Sequence, residues 1–166
     1  MKFRDRNNTI ESVMVMILLI IITLAIFLLV EGGSHSYHKI LENKENFEKA
    51  RIASSYINLK IKQNDERDAI LLKHSFYRGE NVLVIKHSGE EEGLVTYVFF
   101  SDGVLYECYT DQTQMPSIDF SEKIIEVQNV SMEDYKEGKG IVVTTSFKFN
   151  DELRTLRNMI TFRADR

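Results

Sequence analysis

Thr9-Ile10-Glu11-Ser12 opens onto Val13-Met14-Val15-Met16-Ile17-Leu18-Leu19-Ile20-Ile21-Ile22-Thr23-Leu24-Ala25-Ile26-Phe27-Leu28-Leu29-Val30. Thr23 is the one polar residue in that 18-residue run, which holds neither Gly nor Pro. As a helix it reaches roughly 27 Å, close to the hydrocarbon thickness of a bilayer. A cleaved signal peptide is the rival reading. Its apolar core is usually shorter, about 7–15 residues, and ends at a small-x-small site. Here the run is followed by Glu31-Gly32-Gly33-Ser34, so a retained transmembrane helix over 13–30 is the expectation, with lipid as its partner.

Flanking charge gives the orientation. Lys2, Arg4 and Arg6 precede the run, whereas beyond it Glu31 comes first and Lys39 is the first cation. Positive flanks favour the cytoplasmic side. Residues 1–12 therefore read as a cytoplasmic N-terminal segment, and 31–166 as an extracytoplasmic domain of a single-pass cell-membrane protein.

That domain is large enough for a single small core. Residues 1–30 contain three of the chain's 21 Lys and Arg and two of its 25 Asp and Glu. The remainder is thus acidic by about five charges, a poor match to nucleic acid, which requires a basic face. Cys108 has no intrachain partner to bridge with and reads as a small buried strand residue.

After Gly32-Gly33, read as a flexible joint, apolar residues recur at Tyr37, Ile40, Leu41, Phe47, Ala50, Ala53, Ile57 and Ile61. Those steps of three and four predict an amphipathic helix over about 36–62, ended by Gln63-Asn64-Asp65. Strand patterns fill about 68–163. They include Val82–His87, Leu94–Phe100, Val104–Tyr109, one strand over Ile124–Met132, and Ile141–Phe149, whose inward face would be Ile141, Val143, Phe147 and Phe149. Asp102-Gly103 is a strong tight-hairpin signal, because both residues tolerate positive φ. The expected class is α+β: a membrane helix continuing into an amphipathic helix packed on an antiparallel meander of six or seven strands.

Catalytic signatures are missing from the sequence. It has no Gly-rich phosphate loop, no Gly-x-Ser-x-Gly elbow and no His-Glu-x-x-His helix. His35 and His38 are spaced to share a helix face, but a metal site needs three or four ligands and no others stand close in sequence. Asp111, Asp119 and Asp151 lie in expected loops without calcium-loop spacing. A non-enzymatic protein with neither cofactor nor metal is expected.

Glu11 is the residue with a sharp reading. A carboxylate entering hydrocarbon costs a few kcal/mol unless it is paired. At the mouth of a helix it also benefits from the N-terminal dipole. Glu11 before this apolar run resembles the N-terminus of a type IV pilin or pseudopilin. Ala53-Ser54-Ser55-Tyr56-Ile57, Lys62-Gln63-Asn64-Asp65 and Phe100-Ser101-Asp102-Gly103-Val104-Leu105-Tyr106-Glu107 resemble an uncharacterised family of single-pass proteins from Gram-positive bacteria, often encoded among type IV pilus genes.

The resemblance implies docking of Glu11 against other pilin-like subunits through the N-terminal helix. It also implies a prepilin peptidase that cuts between Arg6 and Asn7, placing Glu11 fifth in the mature chain. Pilins carry Gly before the cut and often Phe or Met after it, unlike Arg6 and Asn7 here. The alternative is an unprocessed single-pass scaffold that binds a partner or ligand outside the cell.

Overall fold

A computed structural model of the chain describes residues 3–136 and 138–163, with side chains described from residue 10 onward. Helix α1 spans Phe3–Gln63. The chain divides into two compact units, Met1–Glu42 and Asn43–Arg166.

The first unit is helical throughout its described part, and every residue from 10 to 42 is exposed. Thr23, the polar exception in the apolar run, donates its Oγ1 hydroxyl to the carbonyl of Leu19 at 2.8 Å and so carries no unsatisfied group. Gly32-Gly33 is not a joint: both residues lie inside α1. Two glycines weaken a helix by about 1 kcal/mol each relative to Ala, and cooperative propagation from long helical segments on either side outweighs that cost. The expected stripe is shorter than its sequence pattern, because Tyr37, Ile40 and Leu41 are 62%, 64% and 44% exposed.

In the second unit the remainder of α1 buries Ala50, Ala53, Ile57 and Ile61 completely. Asn64 closes the helix, its Nδ2 donating to the carbonyl of Lys60 at 2.8 Å. The strands that follow are all antiparallel to their neighbours. Strands β1 (Ile70–Tyr77), β2 (Glu80–Lys86), β3 (Leu94–Ser101), β4 (Val104–Asp111) and β5 (Glu122–Glu126) form one sheet in that order. Strands β6 (Asn129–Tyr135), β7 (Gly140–Phe149) and β8 (Glu152–Thr161) form a second. The α+β architecture expected from the sequence is therefore present, with eight strands in two sheets in place of six or seven in one meander.

The difference arises at Ile124–Met132, which is not one strand. The chain leaves the first sheet after Glu126, and the Val127 N–H donates to the carbonyl of Gly103 at 3.0 Å. Ile124, Ile125 and Val127 pack on the core before the break, and Val130 and Met132 after it.

Three two-residue hairpins connect the strands: Arg78-Gly79 (φ 50° and 83°), Asp102-Gly103 (50° and 81°) and Asn150-Asp151 (51° and 65°). Positive φ at both central residues gives the turn whose twist matches that of the flanking strands. Gly140 is needed for a different reason. A Cβ there would lie 2.3 Å from the carbonyl oxygen of Ile160 on the neighbouring strand.

The main core joins Ala53, Ile57 and Ile61 of the helix to Leu83, Val98 and Leu105 of the first sheet and Met132, Ile141, Val143 and Ile160 of the second. A second cluster fills the opposite face of the first sheet. There Tyr97 and Phe99 are fully buried, Phe76 stacks on Tyr97 at 5.9 Å and Tyr106 on Phe99 at 5.6 Å. Cys108 belongs to this cluster and is buried, as a small strand residue should be.

Candidate functional site

The candidate residues fall in two regions that lie in different units. In the first, Glu11 is exposed on α1 between Ile10 and Val13, which are 54% and 51% exposed. No hydrogen bond or ion pair joins it to another described residue. The large apolar side chains of the run are between 46% (Ile22) and 76% (Leu29) exposed. Among the described residues this is one helix long and apolar enough to cross a membrane, with a mean hydropathy of 3.4 over its best window. A helix apolar on every side has no core to face within its own chain; it is solvated by lipid or covered by other helices. The N-terminal helix is therefore compatible with a single-pass anchor. Arg6 and Asn7, the residues flanking the expected cut, fall within the span of α1, but their side chains lie outside those described.

In the second unit a polar clamp pins the helix to the sheet. Tyr56 and Lys60, one helical turn apart, both reach Glu107 of β4. The Tyr56 hydroxyl donates to Glu107 Oε2, and Lys60 Nζ lies 2.7 Å from Oε1. The Lys60 and Glu107 side chains are 26% and 15% exposed, so the pair is partly desolvated and stronger than a surface ion pair. Burial, reinforced by the hydrogen bond to Glu107, raises the Tyr56 phenol well above its ordinary range. Tyr56 is therefore a neutral donor at all physiological pH, with no capacity to act as a base. The clamp satisfies each of its charged and polar groups, and its chemistry is that of a structural latch.

An open cleft of about 410 Å³ lies where the chain passes from the first sheet to the second. Asn46 and Lys49 of α1, Asp102-Gly103 of the hairpin, Glu126-Val127-Gln128 of the crossover, and Phe147-Lys148 of β7 line it. Its charges are balanced and largely engaged. Lys49 lies 2.6 Å from Glu45, Asp102 lies 2.6 Å from Arg78, and Glu126 pairs with Lys123. The Glu126 carboxyl is held below its usual range chiefly by the Lys123 hydrogen bond, and Lys49 is raised by Glu45. Phe47 packs edge-on against Phe147 at 5.4 Å in the same neighbourhood, which places Phe147 inward as its sequence position predicts.

The remaining candidates are dispersed. His74 lies 2.7 Å from Asp134, and His87 Nε2 lies 2.8 Å from the Thr96 hydroxyl. Asp111 accepts from the Thr113 hydroxyl at 2.6 Å and the Thr113 N–H at 2.8 Å in its own turn, which lowers its carboxyl. Among the described residues no three His, Cys, Asp or Glu side chains of one chain converge on a metal-sized site.

A family model for a domain of unknown function, DUF4860, matches residues 48–151. The chain belongs to the DUF4860 family. The matched region runs from the buried part of α1 through the whole first sheet and into the second, ending at the β7–β8 hairpin. It contains the clamp and most of the cleft and leaves out the apolar run. No curated protein and no solved structure matches the chain.

Proposed function

We propose that this DUF4860 protein is a non-enzymatic, membrane-anchored subunit or accessory of a type IV pilus or related secretion filament, of minor pilin or pseudopilin class. The observation that carries this reading is the character of α1. It presents an exposed apolar run with one carboxylate at its start, Glu11, that pairs with no described residue, and its last turns bury a stripe under antiparallel sheets. A carboxylate beside hydrocarbon needs a partner. In an assembled filament the N-terminal ammonium of a neighbouring subunit supplies one, with close helix packing providing the affinity. The N-terminus is cytoplasmic and the DUF4860 domain extracytoplasmic, and the partners are lipid, other pilin-like subunits and a prepilin peptidase. Nucleic acid is not among them.

Glu11→Ala tests the docking role. The variant should insert into the membrane as the wild type does but lose most of its co-purification with the other filament subunits. Undiminished co-assembly would remove Glu11 from the account. A second reading, an unprocessed scaffold that binds its partner through the exterior domain, is favoured by one observation. Arg6 and Asn7 stand where pilins carry Gly and a Phe or Met.

A further inference from the structure

Glu31, His35, His38 and Glu42 follow the apolar run at steps of four, three and four, all within the first unit and all exposed. At about 100° per residue these steps hold the four side chains within an arc of roughly 60°. The same line continues back through Phe27, Leu24, Ile20, Ile17 and Val13. Glu31, Ser34, His35 and His38 share one shallow hollow on the helix surface with Phe27 and Val30. Among the described residues no hydrogen bond or ion pair engages Glu31, His35, His38 or Glu42, and the His38 ring meets only the edge of Tyr37, at 6.4 Å.

Two imidazoles one turn apart are half of a tetrahedral zinc site, since such a site takes four N, O or S ligands. Each also has a carboxylate four residues away on the same helix face, Glu31 for His35 and Glu42 for His38. A carboxylate is one of the usual acceptors for the second ring N–H of a ligating histidine. One chain cannot complete the set. A second copy can, because copies inserted in the same direction sit at the same depth, fixed by the same apolar run. Residues 31–42 of neighbouring helices then lie level, just outside the hydrocarbon.

We infer that His35 and His38 of two neighbouring copies together bind one zinc-class divalent ion, with Glu31 and Glu42 orienting the imidazoles, so that the metal clasps paired helices at the membrane surface. The inference rests on the anchor reading of Val13–Val30 and goes beyond it. It applies equally to copies in a filament and to paired scaffolds.

The test uses the full chain reconstituted in phosphatidylcholine vesicles, with association followed by energy transfer between labelled copies in zinc chloride or EDTA. Wild type should retain one zinc ion per two chains and associate at least about tenfold more tightly with zinc than with EDTA. His35→Ala/His38→Ala should lose both effects while keeping the thermal transition of the exterior domain. Glu31→Gln/Glu42→Gln should keep the stoichiometry but bind zinc about 10- to 100-fold more weakly. Equal zinc retention by the double histidine variant, or wild-type association indifferent to zinc, overturns the site and leaves the anchor standing. Release of the chain from the vesicles by alkaline carbonate would overturn the anchor and the site together.

Discussion

Within α1, the run Val13–Val30 and the turns from Ala50 to Ile61 are both apolar, yet they meet opposite fates. Ala50, Ala53, Ile57 and Ile61 are completely buried, while the large side chains of the first region are about half exposed or more. The difference lies in pattern. The later residues form a single stripe backed by charged ones, and that stripe is covered by the chain's own sheets. The earlier residues are apolar all round, so no single sheet could cover them, and their solvent is external to the chain. One region encodes a fold; the other is compatible with a membrane anchor.

The sharpest way to break that contrast is to substitute one residue in each region. Ile57→Asp buries an unpaired carboxylate in the main core and should cost more than about 4 kcal/mol, most of what a small domain has. Leu19→Ala in the apolar run should leave the thermal transition of the DUF4860 domain where it is. An Ile57→Asp domain that melts at the wild-type temperature would mean the stripe is not core.

Gly140→Ala comes next. Its Cβ would collide with the backbone of Ile160, which cannot move without breaking the β7–β8 ladder, and a loss of about 1–3 kcal/mol is expected by denaturant unfolding.

Glu107→Gln probes the clamp between helix and sheet. It leaves Lys60 without its counter-charge and should cost about 1–2 kcal/mol. It should also lower the Tyr56 pKa, read from the alkaline absorbance of the phenolates. The sign follows from the direction of the shift. The folded chain holds the neutral phenol, so its contribution is complete below the ordinary tyrosine value near 10 and is lost as pH climbs through the raised native one. A wild-type chain in which all tyrosines ionise together near pH 10 would remove the clamp.

The smallest effect belongs to the glycine pair. A Cβ at Gly32 or Gly33 meets open space, so Ala at either position should strengthen α1 locally by up to about 1 kcal/mol, visible as slower amide exchange there and nowhere else.

What the sequence made legible was local. The apolar run and the Asp102-Gly103 hairpin each depend on spacing within a dozen or so residues, whereas the stripe expected over Tyr37–Ile61 is buried only from Ala50 to Ile61. Gly32-Gly33 suggests a joint by residue preference alone, and the cooperativity of the helix around it overrides that preference. Division of the strands into two sheets has no local signal in Ile124–Met132, since Ile124, Ile125 and Val127 before the break and Val130 and Met132 after it all pack on one core. Nor has the clamp, since Tyr56 and Glu107 are 51 positions apart and only the register of β4 against the helix brings them together. Glu11 is legible as an anomaly of charge beside an apolar run, and no described residue pairs with it.

The most direct measurement is the intact mass and first residue of the chain extracted from membranes that contain its own prepilin peptidase. Assembly as a pilin-class subunit predicts a mature chain beginning at Asn7, with Glu11 at its fifth position. A chain that still begins at Met1 would contradict that, leaving a permanently anchored DUF4860 scaffold.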